Sequence, residues 1–122
     1  MMDWAGYLLW RPAFLEAIDQ KLYPARWLDG IVASEAVQLW RSDNAAALTE
    51  IRPYPSGAAD LHGLVAAGDI GEVRDILVPQ AEAWARLIGC VGFVIESRPG
   101  WAKLLKSQGF ETRQLMVRKE LV

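Results

Sequence analysis

Imidazole is the side chain whose ordinary titration lies nearest neutral pH, which makes it the default proton carrier. This chain has one histidine, His62. It stands in "LHGLVAA" (61–67), where alternation puts His62, Leu64 and Ala66 on one face of a strand and Leu61, Gly63 and Val65 on the other. The residue reads either as a proton acceptor or as an ordinary strand histidine. Next come Gly68 and Gly71, which permit close backbone approach, with Asp69 and Glu72 between and after them. Asp69 followed by Glu72 three residues on has the spacing of a reciprocal capping box. Glu96 and Arg98 follow the apolar run 90–95, at the strand end where open α/β sheets bind ligands, or they pair with each other. Ser97, two residues before Pro99, is a helix-end hydrogen-bonder or a hydroxyl available for chemistry. The one cysteine, Cys90, sits in the apolar run and reads as a small buried hydrophobe. Trp84 and Trp101, spaced with Leu and Ile neighbours on helices, read as packing residues.

These residues need elements to hold them. Helical signals dominate 1–34: Pro12 opens a helix carrying Phe14, Leu15, Ile18 and Leu22, Tyr23-Pro24 ends it, and a short helix or turn covers 25–31 and closes near Gly30. Residues 36–40 and 45–52 read as strands joined by the turn "RSDN" (41–44), making a hairpin. "RPYPSG" (52–57) connects to the third strand, 61–67. A helix runs from Asp69 to Gly89, kinked at Pro79. "CVGFVI" (90–95) reads as a strand buried on both faces, and the helix before it as a crossover between parallel neighbours. A short helix bearing Trp101, Leu104 and Leu105 exits through a left-handed Gly109, with Phe110 folding back. Residues 114–121 alternate, and read as a last strand with Leu115, Val117 and Leu121 on one face.

With 122 residues, 52% of them hydrophobic, the chain suits one domain with a sizeable core. A net charge of about −2 argues against a nucleic-acid partner. One cysteine forms no internal disulfide and suits a reducing compartment. The expected setting is soluble and cytoplasmic, with no membrane contact and no metal.

The blocks "AVQLW" (36–40), "LTEIRPYP" (48–55), "VAAGDIGEV" (65–73), "EAWARLIGC" (82–90) and "SRPGWAKLLKSQGF" (97–110), in this order of elements, resemble the GCN5-related N-acetyltransferase (GNAT) superfamily. More narrowly, they are similar to GNAT-like proteins carried by tailed bacteriophages and prophages. The resemblance covers about residues 36–121. It implies an α/β fold, a mixed and mostly antiparallel sheet flanked by helices. It divides one domain, 1–122, into a helical segment (1–35), three antiparallel strands (36–67), a central helix (69–89) and a strand-helix-strand unit (90–121). It also implies transfer of an acetyl group from acetyl-CoA to an amine of a small molecule or protein. The state reads as monomer or homodimer, since an unpaired edge strand near the C-terminus can pair with a second copy.

In that family acyl-CoA lies between the third strand and the strand at 90–95, with its pyrophosphate on the N–H groups opening the central helix. Carried over, the cofactor-binding residues are Leu64, Val65, Ala66, Gly68, Asp69, Ile70, Gly71, Glu72 and Ser97. The family base often comes from the central strands, so Glu50 competes with His62 as the candidate catalytic base, with an exposed strand carboxylate as its other reading. The family phosphate pattern, Arg/Gln-x-x-Gly-x-Gly/Ala, is broken in either register: Ala66 and Asp69, or Val65 and Ile70, stand at its defining positions. Leu105 takes the place of the family's acidic tyrosine, five residues before the Phe of Gly-Phe. The alternative is a GNAT-fold interaction module with a degenerate CoA site.

Overall fold

The computed structural model describes residues 2–97 and 99–121, the side chain of Pro99 apart. Asp3 opens the first helix, α1 (Trp4–Ala17), by accepting the Gly6 N–H at 2.9 Å. Pro12 lies inside α1 rather than at its start. The helix tolerates it because Tyr7 and Phe14, seven residues apart on one stripe, are both fully buried and hold the turn on either side of it. Helix α2 (Ala25–Ala33) runs through Gly30 instead of closing there, since Leu28 and Val32 bury on one face across that glycine.

Strands β1 (Val37–Arg41), β2 (Ala45–Pro53) and β3 (Ala59–Gly68) form an antiparallel meander, and β4 (Gly92–Ile95) pairs with β3 in parallel. The sheet order is β1-β2-β3-β4. Between β3 and β4 the chain crosses over through α3 (70–87), one continuous helix with a π turn at Val73–Leu77 just before Pro79. The π turn is where the chain absorbs the bond that proline cannot make. Helix α4 (Pro99–Leu105) and a 3-10 turn (Lys106–Gln108) follow, ending on Gly109 with φ +87°.

The helices cover opposite faces of the sheet. Helices α1 and α2 pack on Val37, Ala46 and Leu48 through Tyr7, Phe14, Leu28 and Val32. On the other face, Val73, Leu77, Ala81, Ala85 and Leu105 pack on Ala45 and Leu61, with Trp84 edge-on to Trp40 at 5.7 Å.

Three expectations give way. The β2–β3 pairing slips between Leu48 and Thr49: Leu48 faces Val65 and Thr49 faces Gly63, so Leu64 is an extra residue. Simple alternation therefore fails. Leu64, Val65 and Ala67 pack toward α1, whereas Ala66 turns to the α3 side with Leu61. The apolar run 90–95 forms a strand over four residues only, half-buried at the sheet edge; Cys90 packs in the core while Val91 is exposed. Residues 114–121 form no strand, and Leu115, Met116, Val117 and Leu121 are exposed. Alternation says that a segment can be a strand; a ladder also needs a neighbour.

Candidate functional site

The β3–β4 ladder stops at Gly63 and Ile95, although β3 continues to Gly68. It stops because β4 itself ends at Ile95, next to the point where Leu64 is inserted. From there β3 runs on without a parallel partner, leaving a wedge beside it, closed at His62 and open at Gly68, six residues or about 20 Å apart at strand rise.

At the open end a cleft of about 340 Å³ lies between Ala13, Glu16 and Ala17 of α1, residues 66–68 of β3, Ile70 and Val73 of α3, and Trp101 of α4. The entrance of α3 borders it. Asp69 accepts the Glu72 N–H at 2.9 Å, and the Asp69 N–H is taken by the Asn44 carbonyl at 2.8 Å. The Ile70 and Gly71 amides have no acceptor among the described residues, as expected for the first turn of a helix. The expected reciprocal capping box does not form. Glu72 turns away to the β1–β2 turn, accepting from the Ser42 hydroxyl at 2.7 Å, the Asn44 N–H at 3.0 Å and the Asn44 side-chain amide at 2.9 Å. The Ser42 bond first, then those from Asn44, hold its carboxyl below the ordinary carboxylate range. Of the two carboxylates expected at the helix entrance, then, only Asp69 stays there. Glu16 is the one charged side chain among the described residues lining the cleft.

At the closed end, on the face away from α3, β2 and β3 set Glu50 directly opposite His62. His62 is 5% exposed. Its Nε2 lies 3.1 Å from Glu96 Oε1. Facing a carboxylate oxygen, Nε2 is the donor of that bond. Nδ1 is buried without a hydrogen bond among the described residues, 3.9 Å from Glu50 Oε1. Arg52 joins the carboxylates, at 3.2 Å from Glu50 and 3.5 Å from Glu96. Glu96 thus pairs with His62 and Arg52; the alternative pairing with Arg98 lies outside the described residues. Ser97 follows Glu96 at the mouth of the wedge, engaged in a contact of its own.

The structure sets the two competing candidates, Glu50 and His62, opposite each other, with Glu96 and Arg52 beside them. Of the carried-over cofactor residues, Ala66, Gly68 and Ile70 line the cleft. Asp69 and Gly71 form the helix entrance, Leu64 and Val65 the bulge, and Glu72 leaves the group. Leu105 is 2% exposed and packs in the core, away from any acid role. The contact between His62 and Glu96 could have been read only from strand register. Glu16 gave no signal, because nothing in sequence joins α1 to the end of β3.

Among the described residues no cluster of three or more His, Cys, Asp or Glu side chains is placed to hold a metal ion, and no helix is long and apolar enough to cross a membrane. No protein-family model and no curated protein matches the sequence. Solved structures do match. An aminoglycoside antibiotic 6'-N-acetyltransferase from Acinetobacter haemolyticus superposes with a TM-score of 0.66 at 18% identity, over 96% of this chain and 94% of that one. The ribosomal-protein-alanine N-acetyltransferase of Brucella melitensis biovar Abortus 2308 gives 0.65 at 10% identity, over 97% and 93%. A predicted acetyltransferase with acetyl-CoA from Clostridium acetobutylicum gives 0.60 at 11%, over 84% and 76%. With its four-stranded mixed sheet flanked by helices, this chain has the α/β fold of the GNAT acetyltransferases.

Proposed function

We propose that the protein is an acyl-CoA-dependent N-acyltransferase acting on an amine, with acetyl-CoA as donor. The observation that carries this is the wedge: an unpaired helix entrance at its open end and, at its closed end, an imidazole whose buried Nδ1 makes no hydrogen bond among the described residues. In this reading the Ile70 and Gly71 amides receive the diphosphate, aided by the partial positive charge of the helix start. The acyl-CoA supplies an activated thioester carbonyl. The acceptor amine attacks that carbon and the C–S bond breaks. His62 Nδ1 takes the amine proton, directly or through a water, and the departing thiolate gains a proton from solvent or from Ser97. Glu96 holds the imidazole by its Nε2–H, and Glu50 stabilises the imidazolium that results. The resemblance of the sequence blocks to phage- and prophage-carried proteins extends the proposal to a phage- or prophage-encoded enzyme.

A second reading is an interaction module that keeps the fold without the chemistry. Glu16 favours it, since a carboxylate on the cleft wall opposes a diphosphate, and so does the buried Leu105. Calorimetric titration with acetyl-CoA and with free CoA separates the two. Micromolar binding supports the transferase and opens a screen of amine acceptors. No heat up to millimolar ligand overturns it in favour of the module.

A further inference from the structure

The cluster around His62 holds more negative charge than one amine needs. On the sheet face away from α3, β2 sets Glu50 opposite His62 and Arg52 opposite Asp60. Asp60 precedes His62 by two residues, about 7 Å along β3. The core under α1 and α2 reaches Leu48 on this face. Beyond it the Glu50, Arg52 and Glu96 side chains are 29%, 46% and 63% exposed. Arg52 turns to Glu50 at 3.2 Å and to Glu96 at 3.5 Å. Asp60 has no cationic partner within 4 Å among the described residues, and its Oδ2 accepts the Tyr54 hydroxyl at 2.6 Å. Its neighbour on β4 is Gly92, where a Cβ would lie 2.6 Å from Asp60 Oδ1, so glycine there makes room for the carboxylate. Three carboxylates thus stand with one guanidinium. Carboxylates alone fit a solvated face as well as a site. The imidazole among them does not: His62 is 5% exposed, and its Nδ1 makes no hydrogen bond among the described residues, 3.9 Å from Glu50 Oε1. A buried polar atom left in this way costs free energy that an incoming partner recovers.

Resting on the transferase reading, we propose that the acceptor is a dication: an amine with a second ammonium about 7 Å away. The reacting nitrogen meets His62 and Glu50, and the second ammonium meets Asp60. Arg52 offsets one of the three carboxylates, and the excess of two matches two ammonium groups. Four or five carbons between the nitrogens span that distance, at about 1.5 Å per bond along a zigzag. A monoamine fills only the His62 end and leaves Asp60 without a counter-charge. Asp60 is then the specificity-determining residue, acting on the end of the acceptor that does not react.

Calorimetric titration of the full chain with α,ω-diaminobutane, diaminoethane and butylamine tests it. Diaminobutane should bind about fivefold tighter than butylamine, the worth of one partly exposed ion pair, and the gap should narrow at high salt. Diaminoethane, too short to span the two ends, should bind as butylamine does. Asp60→Asn keeps an oxygen for the Tyr54 hydroxyl and should bring diaminobutane down to the butylamine level. Equal affinities for diaminobutane and butylamine, or no binding of either, overturn the proposal, as does a preference that survives Asp60→Asn. Turnover with acetyl-CoA separates this failure from that of the transferase reading. Acetylation of both amines with equal kcat/KM keeps the transferase and overturns the dication. The binding preference without any acetylated product overturns the transferase and keeps Asp60 as part of a dication site.

Discussion

Glu72 accepts three hydrogen bonds from the β1–β2 turn instead of closing on its own helix start, so one carboxylate both anchors a hairpin and vacates the helix entrance. Its folded-state pKa lies below its ordinary 4.5. A depressed carboxyl adds stability above its unfolded value and loses it as pH falls through the lower folded one. Glu72→Gln should therefore melt below wild type at pH 7, and the gap should close as both are melted at successively lower pH beneath about 4. Asp29 follows the same sign. Hydrogen bonds from Arg11, then from Tyr7, hold its carboxyl below the ordinary range, so its contribution also fades in acid. At the wedge, His62→Ala should cut turnover about 10²- to 10⁴-fold, the usual worth of a proton acceptor, with acetyl-CoA affinity kept. Glu96→Gln, which can still accept the Nε2–H, should retain most of kcat, whereas Glu96→Ala should lose it; equal losses would mean that charge, not orientation, matters. The Asp69 cap was legible in sequence because its donor lies three residues on. Glu72's partners were not, being 28 and 30 residues away.

Elements were legible where a local rule fixed them. The hairpin followed from "RSDN" between alternating runs, the crossover from strand-helix-strand order, and the left-handed exit at Gly109 from glycine after a helix. They were not legible where tertiary burial overrode a local sign. Pro12 marks a possible helix start, but Asp3 and the Tyr7–Phe14 stripe decide where α1 begins. The bulge at Leu64 carries no signature in "HGLVA", since it arises from fitting β3 to β2 and β4 together. The link between β3 and α3 shows the same tertiary control. Gly68 has φ +94°, and a Cβ there would lie 2.3 Å from the Asn44 carbonyl oxygen, which itself takes the Asp69 N–H. Gly57 has φ +91° but nothing within 4 Å. Gly57→Ala should cost about 1 kcal/mol, from backbone strain alone. Gly68→Ala adds a clash with backbone and should cost at least about 2 kcal/mol, with disturbance of the α3 entrance. Urea denaturation of the two variants checks the order; equal losses would mean that the β1–β2 turn yields freely.

Across the whole molecule, the proposed function places binding at one end of the wedge and proton transfer at the other, and the charge near the first end tests it. Two carboxylates oppose a diphosphate there. Glu16 lines the cleft, and Asp69 caps the helix whose amides would receive the ligand. Both can be neutralised without dismantling anything. Asp69→Asn keeps a side-chain oxygen for the Glu72 N–H, since Asn caps as well as Asp. Glu16→Gln changes an exposed side chain. A like charge removed from a partly solvated site at this range is worth roughly 1 kcal/mol, so each variant should tighten CoA about fivefold in calorimetry, more at low salt than at high. Pantetheine, which lacks the diphosphate, should bind all three proteins alike. If CoA tightens and pantetheine does not, the diphosphate sits at the α3 entrance. If both tighten equally, the carboxylates act on the cleft's shape or hydration instead. If neither ligand binds any of the three proteins, the wedge is not a CoA site and the transferase reading fails.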